Sequence, residues 1–529
     1  MSEIQEPPKS FFRILFAVGP GLIVAGSIVG SGELIATTHT GAKAGFSLLW
    51  LILIGCVIKV FAQIEFGRYA IISGKTTMTA MNEVPGPRIK GRGNWLVWYW
   101  LIMWFASIAQ LGGIVGGVGQ SLAISAPMTE QAKAYNAAAD LEQRQQIDSY
   151  LAEYERRQGA SKAEQAELAA SNETAALTAA APRETENYWA EYDQAYPAGE
   201  AQARSLPDDT VIWAAMIAVV TSVILVIGRY NLIQTFSTAL VGSFTALVVL
   251  NVYWLQSKAE FAFSAQEFWT GMVPFGSETE NWKESTYAAL ATFGIIGVGA
   301  AELVTYPYWC LEKGYAKFTG KNDNSQAWKA RAKGWMRVMQ VDAWGAMLIY
   351  TFSTIAFYVL GASVLHRVGL APEKSDMVRT LAVMFQPVFS EWASMIFLCG
   401  AVAVLYSTFF VANASHARAF SDCLRVIGVI KPDEVTRQKW IRFLSGFFPI
   451  LCLVIFIFIP DPKGLVLISG IAQGVMLPML AGAALYFRYK RCVEELKPST
   501  FWDMCLWLSA LGMLITGTWT VYSQLSKWL

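Results

Sequence analysis

Two glutamates are the residues best placed to do chemistry in this chain. Glu33 follows Gly30-Ser31-Gly32 in the segment SIVGSGELIATT, and Glu302 follows Gly297-Val298-Gly299 in IIGVGAAELVTYPYW. Each lies in a long, otherwise nearly uncharged apolar run. A carboxylate at bilayer depth is costly enough to mark a functional position. Closely spaced glycines free the backbone from helical geometry, and unwound backbone is tolerated there only where it lines a cavity or is buried in protein. Interrupted helices at matching places in two halves of a chain point to a transporter's binding site. The pattern predicts one central site built from Gly30, Ser31, Gly32, Glu33, Val298, Gly299, Ala301 and Glu302. Glu33 and Glu302, with carbonyls freed near Gly30, Val298 and Gly299, would make an all-oxygen metal site suited to Mg2+ or Mn2+. Glycines in membrane helices also serve as packing contacts; two motifs, each coupled to a glutamate, favour the site.

Other polar side chains are more ambiguous. Gln110, Gln120 and Gln473 either bond between helices or face a pathway, and Tyr306, Tyr308 and Trp309 either pack or gate. Lys59 and Glu65 fit salt bridges, or Lys59 snorkels to the membrane surface. Seven scattered cysteines lack CxxC spacing, and three histidines are too few for histidine-based catalysis or zinc ligation. HExxH, Walker and Rossmann patterns do not occur in suitable context, so neither an enzyme nor a cofactor is expected.

The chain that must position these groups has 529 residues, 54% of them hydrophobic and 15% charged, with a mean hydropathy of +0.38. Soluble proteins carry about 25% charged residues. The composition therefore predicts an integral, all-α membrane protein in contact with the lipid bilayer. A net charge of +1 leaves no basic excess for nucleic acid. About eleven apolar stretches are long enough to span, near 14–42, 46–72, 95–124, 210–228, 232–255, 285–311, 338–362, 386–414, 441–460, 463–487 and 500–523. Lysine and arginine cluster after spans 2, 6, 8 and 10. Basic loops mark the cytoplasmic side, so the amino terminus is expected inside, the carboxyl terminus outside, and the setting a bacterial-type inner (plasma) membrane. The start MSEIQEPPKS is polar and acidic and predicts no removable signal peptide. Residues 126–208, rich in Ala, Glu and Gln, read as a solvated helical insertion on the outer face. The expected organisation is spans 1–3 in 1–125, the insertion in 126–208, spans 4–10 in 209–487, and a loop with span 11 in 488–529. Spans 1–5 and 6–10 would be halves of opposite orientation, with helices 1 and 6 broken.

Several segments resemble the natural-resistance-associated macrophage protein (NRAMP) family of divalent-metal transporters, which share the leucine-transporter fold with its 5+5 inverted repeat. GPGLIVAGSIVGSGELIATTHTGAKAGFSLLW is similar to the family's first span and its lead into the second, and AQIEFGRYAIISGK to the end of the second. GMVPFGS resembles the approach to the sixth, and LVLISGIAQGVMLPMLAG the tenth. The functional motifs depart from the family. Its Asp-Pro-Gly-Asn ligand run falls on Gly30, Ser31, Gly32 and Glu33, and its Met-Pro-His run falls on Ala301, Glu302 and Leu303. Its second histidine falls on Tyr308, and its proton-linked acids on Gln110 and Gly113.

The resemblance implies alternating access around a central site, with hard divalent ions favoured over soft transition metals and proton coupling doubtful. Two alternatives stay open. Glycine-rich half-helix ends also hold the carboxylate of an amino acid or other amine-containing solute. A non-transporting sensor or scaffold would make the outer segment its working part. The sequence leaves the oligomeric state open.

Overall fold

The computed structural model describes residues 4–159, 183–197, 207–227, 230–274, 276, 282–372 and 376–526. Eleven helices among them are long and apolar enough to cross a membrane. They are Pro20–Ala44, Leu49–Ser73, Trp95–Ser125, Asp209–Ile227, Thr238–Leu255, Trp282–Lys313, Gln326–Val368, Ala393–Val426, Glu434–Phe458, Pro462–Arg491 and Thr500–Leu525, called spans 1 to 11 in order. Their starts follow elementary capping chemistry. Asn94, Ser325, Asp433, Asp461 and Ser499 each accept a backbone N–H from the first turn of the helix that follows. Proline occupies the first position of spans 1 and 10, where its missing N–H costs nothing. Gly74, at φ +65°, closes span 2 in the left-handed conformation.

Burial sorts the spans. In spans 1 and 6, 94% and 89% of the apolar window is enclosed, against 22% and 28% in spans 4 and 5. The two glycine-glutamate helices therefore form the centre of the bundle, while spans 4 and 5 present Val219, Val223, Leu250 and Tyr253 outward, as lipid-facing helices do.

Several expected boundaries move. Span 1 begins at Pro20, because Gly19 separates it from the short helix Phe11–Ala17. Span 7 begins at Gln326 rather than 338: its first turns carry Lys329, Arg331 and Lys333, which hydropathy alone scores as loop. Span 8 begins at Ala393 rather than 386 and runs on to Val426. The apolar stretch Met377–Phe389 before it is a set of short helices. Residue 228, the expected end of span 4, lies outside the described residues, as do Phe275 and Ser277 of GMVPFGS.

Within the expected outer segment, Glu130–Gly159 and Arg183–Ala195 are helices, and residues 160–182 and 198–206 lie outside the described residues. The two helices meet through Tyr135, Ala139, Trp189 and Tyr192. The first of them bonds to the connection between spans 7 and 8. Tyr135 donates to Asp376 at 3.0 Å, and the buried Arg379 bonds Asp140 and, at 2.5 Å, Asn136 Oδ1. Tyr150 donates to the carbonyl of Glu260 at 2.9 Å, tying the same helix to the connection between spans 5 and 6.

Candidate functional site

Span 6 is broken and span 1 is not, which corrects the expectation that both unwind. The first half of span 6 ends at Ile295, and Gly297 turns to φ +54°. The second half starts at Ala300, with Gly299 as its N-cap. A side chain at 297 would be strained, since this φ favours glycine and a Cβ there would lie 3.0 Å from Cys56 Cα. Span 1 remains helical but changes register, forming a π-helix over Val29–Thr37 in which every residue is buried. Such wide turns recur at functional sites. The register changes where the Thr408 hydroxyl, which donates to the Gly26 carbonyl at 3.1 Å, is inserted beside Gly30. The Gly30 N–H donates to Thr408 Oγ1 at 3.0 Å, and a Cβ would sit 2.4 Å from that oxygen. This glycine allows close approach to span 8 rather than unwinding. Gly32 likewise faces the Ile295 carbonyl, 3.1 Å from where its Cβ would be.

The two glutamates brace each other's helices. Glu33 on span 1 is fully buried, and its Oε1 accepts from the Gly297 N–H at 3.3 Å and from Thr354 Oγ1 at 3.1 Å. Its Oε2 has no hydrogen-bond partner among the described residues. Glu302 on span 6 accepts from Ser27 Oγ of span 1 at 3.2 Å, and its other oxygen lies against Gly299. The carboxylates thus lie on either side of the span 6 break, and Val298 is buried within it.

A chain of neutral polar groups closes the site's other side. The Ala301 N–H donates to Gln473 Oε1 at 3.0 Å, and Gln473 Nε2 donates to Gln110 Oε1 at 2.7 Å. Gln110 Nε2 then donates to Ser31 Oγ at 2.6 Å. Spans 6, 10, 3 and 1 are joined in that order. Tyr306 lies elsewhere. It donates to Asp342 Oδ2 at 3.1 Å, and Asp342 caps span 1 by accepting the N–H groups of Gly19 and Gly21 at 2.7 and 2.6 Å. Tyr308 donates to Asp422 at 2.9 Å and lines a cavity of about 1160 Å³ opening on the face rich in Lys and Arg.

Lys59 of span 2 was not singled out for the site, yet it reaches it. Its side chain is fully buried, and Nζ donates to the carbonyls of Phe293 at 2.7 Å and Ile296 at 2.5 Å, where span 6 breaks. It also interacts electrostatically with both Glu33 and Glu302. The sequence signal was a lone lysine mid-run in LWLILIGCVIKVFAQIEF, which reads equally as snorkelling. Cys56, one turn earlier, donates its thiol to Thr354 at 3.6 Å and so touches Glu33's partner. No group of three or more His, Cys, Asp or Glu converges among the described residues.

Eleven spans around two central helices five spans apart, one broken and one with a π-helical register change, define an all-helical membrane protein of the leucine-transporter-like class, spans 1–5 and 6–10 being its inverted halves. The crystal structure of a manganese transporter of Eremococcus coleocola superposes with a TM-score of 0.58 at 12% identity, covering 100% of this chain and 90% of that one. MhsT in complex with L-phenylalanine superposes with a TM-score of 0.51 at 16% identity, covering 97% and 99%. At these identities the likeness concerns the fold. Residues 195–523 match the profile of the natural resistance-associated macrophage protein-like (Nramp) family, and the chain belongs to that family. Metal transporter Nramp2 of Populus trichocarpa is 28% identical over 120 residues, which are 22% of this chain and 20% of that protein. Metal transporter Nramp3 of Arabidopsis thaliana is 25% identical over 120 residues, 22% of each. The similarity thus spans about a fifth of the length of these relatives.

Proposed function

We propose that this protein transports divalent metal cations, Mg2+ or Mn2+ in preference to soft transition metals, by alternating access around the meeting point of spans 1 and 6. The observation that carries this reading is Glu33 Oε2, a fully buried carboxylate oxygen with no partner among the described residues, beside the only glycine turn in span 6. A buried charge left unpaired is costly, and a bound cation removes that cost. Glu33 and Glu302 would supply the charge. Carbonyls near Val298 and Gly299, with Ser31, would supply neutral oxygens, and Gly30, Gly32 and Ala301 shape the space. All are hard donors, and the thioether that selects softer metals has no counterpart at Ala301. Gln110 and Gly113 carry no ionisable group, so membrane potential rather than a proton gradient would drive the flux. Tyr308 would gate the route to the basic face, which we take as cytoplasmic. The amino terminus then lies inside a bacterial-type plasma membrane, with the 126–208 segment and the carboxyl terminus outside.

Transport of an amine-bearing organic solute ranks second. It needs free N–H groups at the start of the second half of span 6, and the Ala301 N–H is already bonded to Gln473. In proteoliposomes, wild-type protein should move Mg2+ or Mn2+, and Glu33→Gln should slow it. Metal flux indifferent to loss of both glutamates refutes the assignment. Thermal stabilisation by amines or amino acids, with none by divalent ions, reverses the ranking.

A further inference from the structure

The break in span 6 leaves the carbonyl end of a half-helix in the middle of the bundle. Such an end carries roughly half a negative charge, and unwound carbonyls with half-helix C-termini are what coordinate coupling cations in transporters. Here that place is taken by a side chain. Lys59 Nζ lies 2.7 Å from the Phe293 carbonyl and 2.5 Å from the Ile296 carbonyl. Among the described residues it makes no ion pair within 4.0 Å with either glutamate, although both feel its charge. The ammonium therefore neutralises the helix end and leaves Glu33 Oε2 unspent. The Phe293 ring covers the amine, its centroid 5.1 Å away, which closes the cradle on that side. Snorkelling is excluded, because the side chain is fully buried.

We propose that Lys59 is a tethered cation: it permanently fills the carbonyl cradle at the span 6 break, so that the transport cycle runs without a separate monovalent coupling ion. This rests on the cation-transport reading for its flux arm and not for its stability arm. The cradle's charge requirement is the same whether the charge arrives on a lysine or as a small free cation. Lys59→Ala removes the amine and opens room for one, whereas Lys59→Met removes the charge and keeps the volume.

The test measures thermal stability of purified full-length protein in NaCl, methylammonium chloride and choline chloride, and Mn2+ uptake by proteoliposomes in the same salts. Wild-type protein should be indifferent to the salt in both. Lys59→Ala should lose stability in choline and slow uptake about tenfold, the scale of one lost charge-assisted hydrogen bond. Na+ or methylammonium should restore it, while Lys59→Met stays impaired in all three. A Lys59→Ala protein that can be recovered folded only with Na+ or methylammonium present is equally supportive. The proposal falls if Lys59→Met behaves as wild type, if no salt separates Lys59→Ala from its choline value, or if wild-type uptake itself requires Na+. If wild-type protein moves no divalent ion, the transport assignment fails, and the stability arm still decides the role of Lys59.

Discussion

Gly299→Ala isolates the placement of Glu302 from the stability of the fold. Gly299 sits at φ −66° and ψ 172°, a conformation alanine adopts freely, so the backbone need not strain. The added methyl is the problem. Its carbon would lie 2.5 Å from Glu302 Oε2 and 3.0 Å from Gln473 Oε1. Ordinary contact begins near 3.4 Å, so the carboxylate must retreat by about 1 Å. Gln473 cannot absorb the shift, because it is held by the Ala301 N–H and by Gln110. A misplacement of about 1 Å costs a positioned group on the order of 10²-fold, and loss of the glycine N-cap costs about 1 kcal/mol or less. Mn2+ uptake by Gly299→Ala proteoliposomes should therefore fall about 100-fold with only a small change in melting temperature. Gly297→Ala is the contrast. Its φ of +54° and the 3.0 Å approach to Cys56 Cα predict protein that melts well below wild type. Uptake by Gly299→Ala within about threefold of wild type, set against the 100-fold loss expected of a displaced ligand, would show that Glu302 does not hold the cargo.

The Gln110–Gln473 bond should behave as a coupled pair: Gln473→Leu or Gln110→Leu alone lowers stability, and a double-mutant cycle returns a coupling of about 0.5–2 kcal/mol. Additive losses would mean that the two amides act separately. Arg379→Ala should release the helix Glu130–Gly159 from the connection between spans 7 and 8, read as faster limited proteolysis within 130–159; an unchanged cleavage rate would count against that clasp. Glu267, outside the spans, should make the short helix Ala265–Met272 acid-sensitive. Burial would raise its pKa, but the Ser264 amide and hydroxyl and the Arg367 guanidinium outweigh that and hold it below the usual carboxylate range. A depressed acid stabilises the fold above its unfolded pKa and loses that contribution as pH falls through the folded value. Hydrogen exchange across 265–272 should therefore show the protection, corrected for intrinsic rates, weakening below about pH 4.3, and Glu267→Gln should abolish the trend.

The amino-acid sequence by itself determined that this is an integral membrane protein, how many helices are long and apolar enough to cross, and which two of them join a glycine pair to a buried glutamate. These are local properties: a run of apolar side chains long enough for the hydrocarbon core, and a glutamate beside a glycine pair, are visible without knowing any neighbour. The ends of spans 7 and 8 were less legible, because helices that rise out of the membrane stop being apolar before they stop being helical. Tertiary structure alone decided what each glycine pair does. Gly297 turns at a place where a side chain would meet Cys56 and Tyr350, whereas Gly30 stays in a helix and lets Thr408 approach. It also decided where Lys59 points. A lysine's long stem reaches water, a carboxylate or a carbonyl equally well, and the choice belongs to whichever helix ends beside it, here the broken span 6.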